Sequence, residues 1–290
     1  MSIWKEYHQP QTIPQAISLL NTCAEPSSII AGGTDLMLDL NQGNHAPVNA
    51  LIDITEIPEL KGIEIVGEEI VIGACVTHNQ IVKNQAVLNN ADALIEACGL
   101  IGGPQVRNSA TIGGNVAHAL PAADGTIGLL SLNTQVEISS IDGQRRIPIT
   151  QFFVGPGKSI LDPKKEFLTR FFIPLKQKNQ GSAFKRIMRA QGIALPILNL
   201  SVWIERSEDK IVDVRISIGP AGPVPFRAVK TEEMLKGMVF NDDAIAKAQQ
   251  SILSEAKFRT SARRATSEYR QQLVTELFKN TIHQAWKRTF

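Results

Sequence analysis

No pair of cysteines stands at C-x-x-C spacing. The three that exist, Cys23, Cys75 and Cys98, lie far apart along 290 residues, so neither an iron–sulfur cluster nor a structural zinc is supported. Each has apolar neighbours, the pattern of buried free thiols in a reducing compartment. None of the histidines (His8, His45, His78, His118, His283) has H-x-x-x-H or H-E-x-x-H spacing, and no metal site made by this chain is expected. No apolar run nears the roughly 18 residues that span a bilayer. Met1 to Glu6 opens without an apolar h-region, so a cytoplasmic chain is expected. At 43% hydrophobic, 20% charged and net charge +2, the chain has ordinary globular composition and no global field for nucleic acid or an anionic membrane. A basic run near the end (Lys257, Arg259, Arg263, Arg264, Arg270, Lys279, Lys287, Arg288) reads as a solvated helix face.

The common nucleotide fingerprints are missing too. No G-x-G-x-x-G follows a strand and no G-x-x-x-x-G-K-[ST] occurs, so a dinucleotide is not held in the Rossmann manner. No G-x-S-x-G elbow is present, which disfavours a hydrolase of that type.

Two glycine pairs are present instead. Gly32-Gly33 follows Ile29-Ile30-Ala31 and leads into Thr34-Asp35-Leu36; Gly113-Gly114 follows Thr111-Ile112 and leads into Asn115. Without Cβ atoms such turns admit phosphate oxygens, and glycine takes positive φ readily. Successive amides then converge on an anion, and a helix starting just afterwards adds its positive end. One such turn is weak evidence. Two of the same make suggest the jaws of a clamp on one pyrophosphate, hence a dinucleotide cofactor.

Periodicity organises the rest. Thr12 caps a helix through Leu20, Ser28 to Ala31 and Ala50 to Ile54 read as strands, and a helix begun by Thr34 or Asp35 ends at Gly43. Ile63 to Ala74 alternates as two strands turning at Gly67-Glu68. Helices are expected from Thr77 and over Ala91 to Ile101, broken by Gly102-Gly103-Pro104. Gln105 to Gly125 has little periodicity and reads as a long functional loop. Gln135 to Ile141 and Arg146 to Ile149 form a hairpin about Asp142-Gly143, and Phe167 to Ile173 a further strand. The polar stretch Lys176 to Gly181 is the expected domain boundary. Beyond it come a hairpin (Ile197 to Glu205, Ile211 to Ile218), a helix over Asp242 to Ala256, and a final helix from Ser267 burying Tyr269, Leu273, Leu277 and Trp286.

Six strings then fall in order: AGGTDL at Ala31–Leu36, GGPQVRNSATIGGN at Gly102–Asn115, Asp124, FFVGPGKSIL at Phe152–Leu161, SAFKRIMR at Ser182–Arg189 and SEYR at Ser267–Arg270. The set resembles the FAD-binding medium subunit of the molybdenum hydroxylases, the xanthine, carbon monoxide and nicotinate dehydrogenase group, over nearly the whole chain. The resemblance implies an α+β architecture of the p-cresol methylhydroxylase-type FAD fold. Two lobes (1–58 and 59–177) form the FAD domain, and a smaller C-terminal α+β domain (178–290) carries an antiparallel sheet with helices. It implies that Ile29, Ile30, Ala31, Gly32, Gly33, Thr34, Asp35 and Leu36 form the first pyrophosphate loop. Thr111, Ile112, Gly113, Gly114 and Asn115 form the second. Asp124 reads equally as a turn or cap residue; the resemblance moves it towards a ribose or adenosine hydroxyl. Ile101 and Leu168, by themselves plain core candidates, would contact FAD. Lys185 would sit near the flavin, where a cation favours the anionic reduced form. Arg107 is expected to fix its loop.

Two departures are visible. Ala119-Leu120-Pro121 replaces a small residue followed by Ser-Pro, and the cysteine-rich insertion of the hydroxybenzoyl-coenzyme A reductases is missing, so FAD alone is expected. By the resemblance the chain holds no substrate-oxidising residue. Molybdopterin and two [2Fe-2S] clusters would belong to a large and a small partner subunit, the expected assembly being a dimer of heterotrimers, and electrons would pass through FAD to an acceptor such as NAD. The alternatives are a stand-alone flavin oxidoreductase of the same fold and a flavin-less assembly subunit.

Overall fold

The computed structural model describes residues 3–189, 195–262 and 264–290; Arg263 of the basic run lies outside them. In the first lobe, β1 (Glu6–His8), α1 (Ile13–Thr22), β2 (Ser27–Ile30), α2 (Leu36–Gln42) and β3 (Ala50–Asp53) build a parallel sheet in the order β1-β3-β2. The Thr12 hydroxyl accepts from the Gln15 amide and caps α1, whose apolar stripe Ile13, Ala16, Ile17 and Leu20 is buried. Gly43 ends α2 at φ 73°. The expected side-chain cap of α2 is not formed at Asp35.

The second lobe begins with β4 (Ile63–Val66) and β5 (Glu69–Gly73). Six helices follow: α3 (His78–Lys83), α4 (Gln85–Asn90), α5 (Asp92–Leu100), α6 (Pro104–Ser109), α7 (Ile112–Ala117) and α8 (Asp124–Ser131). Then come β6 (Gln135–Ser140), β7 (Gly143–Pro148), the short pair β8 (Phe153–Gly155) and β9 (Lys158–Ser159), and β10 (Glu166–Pro174). The main sheet is antiparallel in the order β4-β5-β10-β6-β7. Residues 105–125, read from sequence as a long loop, are thus mostly two short helices and the start of a third. Their periodicity is hidden because small residues do the packing: a Cβ on Gly113 would lie 2.5 Å from the Ala74 carbonyl oxygen, and one on Gly125 2.9 Å from Asn115 Oδ1.

The third unit carries an antiparallel sheet, β11 (Gln180–Ile187), β12 (Leu198–Ser207), β13 (Lys210–Gly219) and β14 (Phe226–Arg227). Three helices accompany it: α9 (Val229–Leu235), α10 (Asp242–Glu255) and α11 (Ser267–Lys287). In α11 the expected burial of Tyr269 is wrong. Tyr269 is 46% exposed and its neighbour Arg270 is 1% exposed, while Leu273 and Trp286 are half-buried and Leu277 is buried. Every residue of α8 is buried. Ser131 meets the Ser201 hydroxyl at 2.6 Å, and the Ser217 hydroxyl donates to the Ile127 carbonyl at 2.6 Å, so α8 lies against the C-terminal sheet as well as within its own lobe.

Candidate flavin site

In the first lobe β2 ends at Ile30 and β3 at Asp53, neighbouring parallel strands, and the glycine turn leaves β2 at that carboxyl edge. Ligands favour the carboxyl ends of parallel strands. Gly33 takes φ 65°, a conformation natural to glycine. Among the described residues, the amides of Gly32, Gly33, Thr34 and Asp35 have no protein acceptor. A run of free amides before an uncapped helix is what an anionic group needs.

The second turn lies directly against the first. A Cβ on Gly32 would stand 2.0 Å from the Ser109 carbonyl oxygen and 2.9 Å from Ala110 Cα; only glycine permits this approach. The Thr111 hydroxyl caps α7 by accepting from the Gly114 amide at 3.0 Å. The amides of Ile112, Gly113 and Asn115 are taken by Val76, Ala74 and Thr111 carbonyls. The two jaws are therefore unequal. The first offers free amides. The second has its amides satisfied by protein, and Gly113 lets α7 pack against Ala74, just past the end of β5.

Between them opens a cleft of about 400 Å³, walled by Ala31, Gly32, Asp53, Thr55, Lys61, Cys75, Thr77, Gln80, Asn108, Ser109 and Thr111. Asp53 accepts from the Thr55 amide at 2.8 Å, from its hydroxyl at 2.6 Å, and from the Tyr7 hydroxyl. That last bond, then burial, pushes the Tyr7 phenol up to about 12. Burial and then Asp53 push the Cys75 thiol up to about 12, which keeps it neutral. Lys61 is paired with Glu56 at 3.2 Å. The wall is thus rich in hydroxyls and holds one lysine. A diphosphate-bearing cofactor fits this donor set at the first turn.

Of the residues assigned by resemblance, Ala31, Gly32 and Thr111 line the cleft, while Ile101, Asp124, Leu168 and Lys185 do not. Ile29 and Ile30 lie in β2, Thr34 and Asp35 in the turn entering α2, and Leu36 is the first residue of that helix. The Asn115 carboxamide oxygen ties α7 to α8 by accepting from the Thr126 amide at 3.0 Å. Arg107 donates to the Ile101 and Gly102 carbonyls at 3.0 and 2.9 Å, fixing its loop. Leu168 is buried in β10 opposite Ile138. Asp124 is a buried first-turn residue of α8, held by Arg186 and by the Asn199 amide at 2.6 Å. Burial raises its pKa against the lowering effect of Arg186. Lys185 stands beside Arg186 on β11, so the pleat sends it to the opposite face, with Ala183 and Ile187 of the C-terminal core. Sequence reasoning missed Asp53, Thr55, Asn108 and Ser109. The last two lie inside the GGPQVRNSATIGGN string, and the first two follow from the carboxyl-edge rule once β3 is paired with β2.

Comparison with known proteins agrees with this geometry. Residues 3–176 match the FAD binding domain in molybdopterin dehydrogenase, and residues 182–285 the CO dehydrogenase flavoprotein C-terminal domain. The chain is 34% identical to the nicotine 6-hydroxylase medium subunit of Paenarthrobacter nicotinovorans, covering 98% of each. It is 30% identical to the xanthine dehydrogenase FAD-binding subunit of Escherichia coli O157:H7, over 96% of this chain and 95% of that one. The carbon monoxide dehydrogenase structure from Hydrogenophaga pseudoflava superposes with a TM-score of 0.93 at 27% identity, covering 98% of both chains. No helix among the described residues is long and apolar enough to cross a membrane. The chain belongs to the FAD-binding flavoprotein subunits of the molybdenum hydroxylase family.

Proposed function

We propose that this chain is the electron-transfer flavin subunit of a multi-subunit molybdenum dehydrogenase, working beside a molybdopterin-binding large subunit and a small [2Fe-2S] subunit. Bound FAD supplies the exchange between one-electron carriers, such as [2Fe-2S] clusters, and a two-electron acceptor such as NAD. The chain's own residues bind and orient. The free amides of Gly32 to Asp35 would hold the diphosphate, with the hydroxyls of Thr55, Ser109 and Thr111 in the same cleft as further donors. Ile29, Ile30, Ala31 and Leu36 frame the first turn, and Ile112 to Asn115 fix the second wall in place. No general acid or base is required of this chain.

The observation that carries the reading is the meeting of the two turns at Gly32 beside a cleft with unclaimed amide donors. Purification from the native host tests it. The expected result is stoichiometric FAD with two further chains, molybdenum and non-haem iron, and reduction of the flavin by the complex's substrate. A yellow monomer oxidising its own substrate, or a colourless folded chain, overturns it.

A further inference from the structure

Outside the cleft lining, the first lobe gathers three side chains that flavin binding does not use. Glu6 and His8 are two apart on β1, so the pleat turns both to one face. β1 is an edge strand, paired only with β3. Cys23 is the C-cap of α1, its amide held by the Leu19 carbonyl at 2.9 Å. The fold therefore brings a carboxylate, an imidazole and a thiol together from a strand and a helix end.

Glu6 Oε2 and His8 Nε2 are 3.0 Å apart, and the three ligand atoms all lie within 4.8 Å of one another. Ligands about 2.0–2.3 Å from a tetrahedral zinc stand about 3.5 Å from each other, a spacing that lies inside the 4.8 Å limit on all three atoms. Glu6 is exposed, and His8 and Cys23 are half-buried, which leaves solvent access for a metal and for a water as fourth ligand. A mixed sulfur, nitrogen and oxygen set suits zinc-class ions, whereas calcium and magnesium want oxygen alone.

We propose that Glu6, His8 and Cys23 form a binding site for a zinc-class divalent cation, tying the end of α1 to the edge strand. The expectation of no metal on this chain is thereby revised. The spacing hid the site because its ligands come from two elements.

The test titrates the full-length, tag-free, flavin-loaded chain, stripped with chelator, first with Co²⁺ and then with Zn²⁺. The expected result is a thiolate-to-cobalt charge-transfer band saturating at one equivalent, displaced by zinc, with protons released as the thiol ionises. Cys23→Ser should abolish the band, and His8→Ala should weaken zinc binding at least tenfold. Flavin content and thermal midpoint should stay unchanged in the stripped variants. Cobalt binding without a thiolate band, or zinc affinity in Cys23→Ser within twofold of the parent, overturns the proposal.

Discussion

Acidification is expected to loosen the second wall of the cleft through His78. This residue opens α3, is 1% exposed, and its amide donates to the Ala110 carbonyl at 3.1 Å, one residue before Thr111. Its Nδ1 has no hydrogen-bond partner. Burial first, and then the Arg107 guanidinium, hold the imidazole down to about 4 from 6.5. The unfolded chain therefore takes up the proton before the folded chain does. The associated stability is fully present above pH 6.5 and is lost as the pH falls from 6.5 towards 4. At about 1.4 kcal/mol per unit, this group alone removes about 2 kcal/mol between pH 7.5 and 5, and about 3.4 kcal/mol below pH 4. His78→Gln does not titrate in this range. Urea unfolding of the flavin-loaded parent and variant at several pH values, with release followed by flavin fluorescence, measures the difference. The parent should lose about 2 kcal/mol more than His78→Gln between pH 7.5 and 5. Parallel pH profiles would refute the assignment of a buried neutral imidazole at this position.

Gly114→Val places a Cβ whose nearest contact is the Thr111 hydroxyl at 3.2 Å. The chain should fold and purify with at least tenfold weaker FAD retention, and stoichiometric flavin in the folded variant would remove the second turn from the site. Gly32→Ala instead drives a Cβ into the Ser109 carbonyl at 2.0 Å and should destabilise the protein itself by about 1–3 kcal/mol; an unchanged thermal midpoint would contradict the contact. Arg186→Met leaves the buried Asp124 without its cation and should lower stability by about 3–5 kcal/mol. Differential scanning calorimetry of the stripped chain showing no shift would dismiss the pair as a structural tie.

Local chemistry made much of the fold readable before any coordinates. The Thr12 cap and the Gly43 stop stand where the sequence places them, because each depends on a few adjacent residues, and the expected β6–β7 hairpin forms with its turn one residue earlier, at Ile141-Asp142. β1 was not readable: Glu-Tyr-His carries no alternation, and the strand exists through its backbone pairing with β3. α6 was missed because it buries no residue and so carries no apolar stripe, and α7 because Gly113 makes its contact with Ala74 where a larger core side chain would stand. At the site, Gly32 stands in the cleft wall while Gly113 and Gly114 lie behind it, next to Thr111. Gly32 and Gly113 are small because backbone presses on them from Ser109 and Ala74, and only the first turn keeps unclaimed amides. Arg186 joined Asp124 across sixty-odd residues of chain, a partnership no spacing rule encodes.

Helix α8 is enclosed on every side, and part of its cover comes from β12 and β13. From Glu96 the ties continue to the amide of Phe184 and the guanidinium of Arg288. A polypeptide stopped near residue 177 would leave that helix roofless, with the Ser131 hydroxyl parted from Ser201 and the Asp124 carboxylate from Arg186 and Asn199. The two halves therefore share one buried layer through α8, and each completes the other's core.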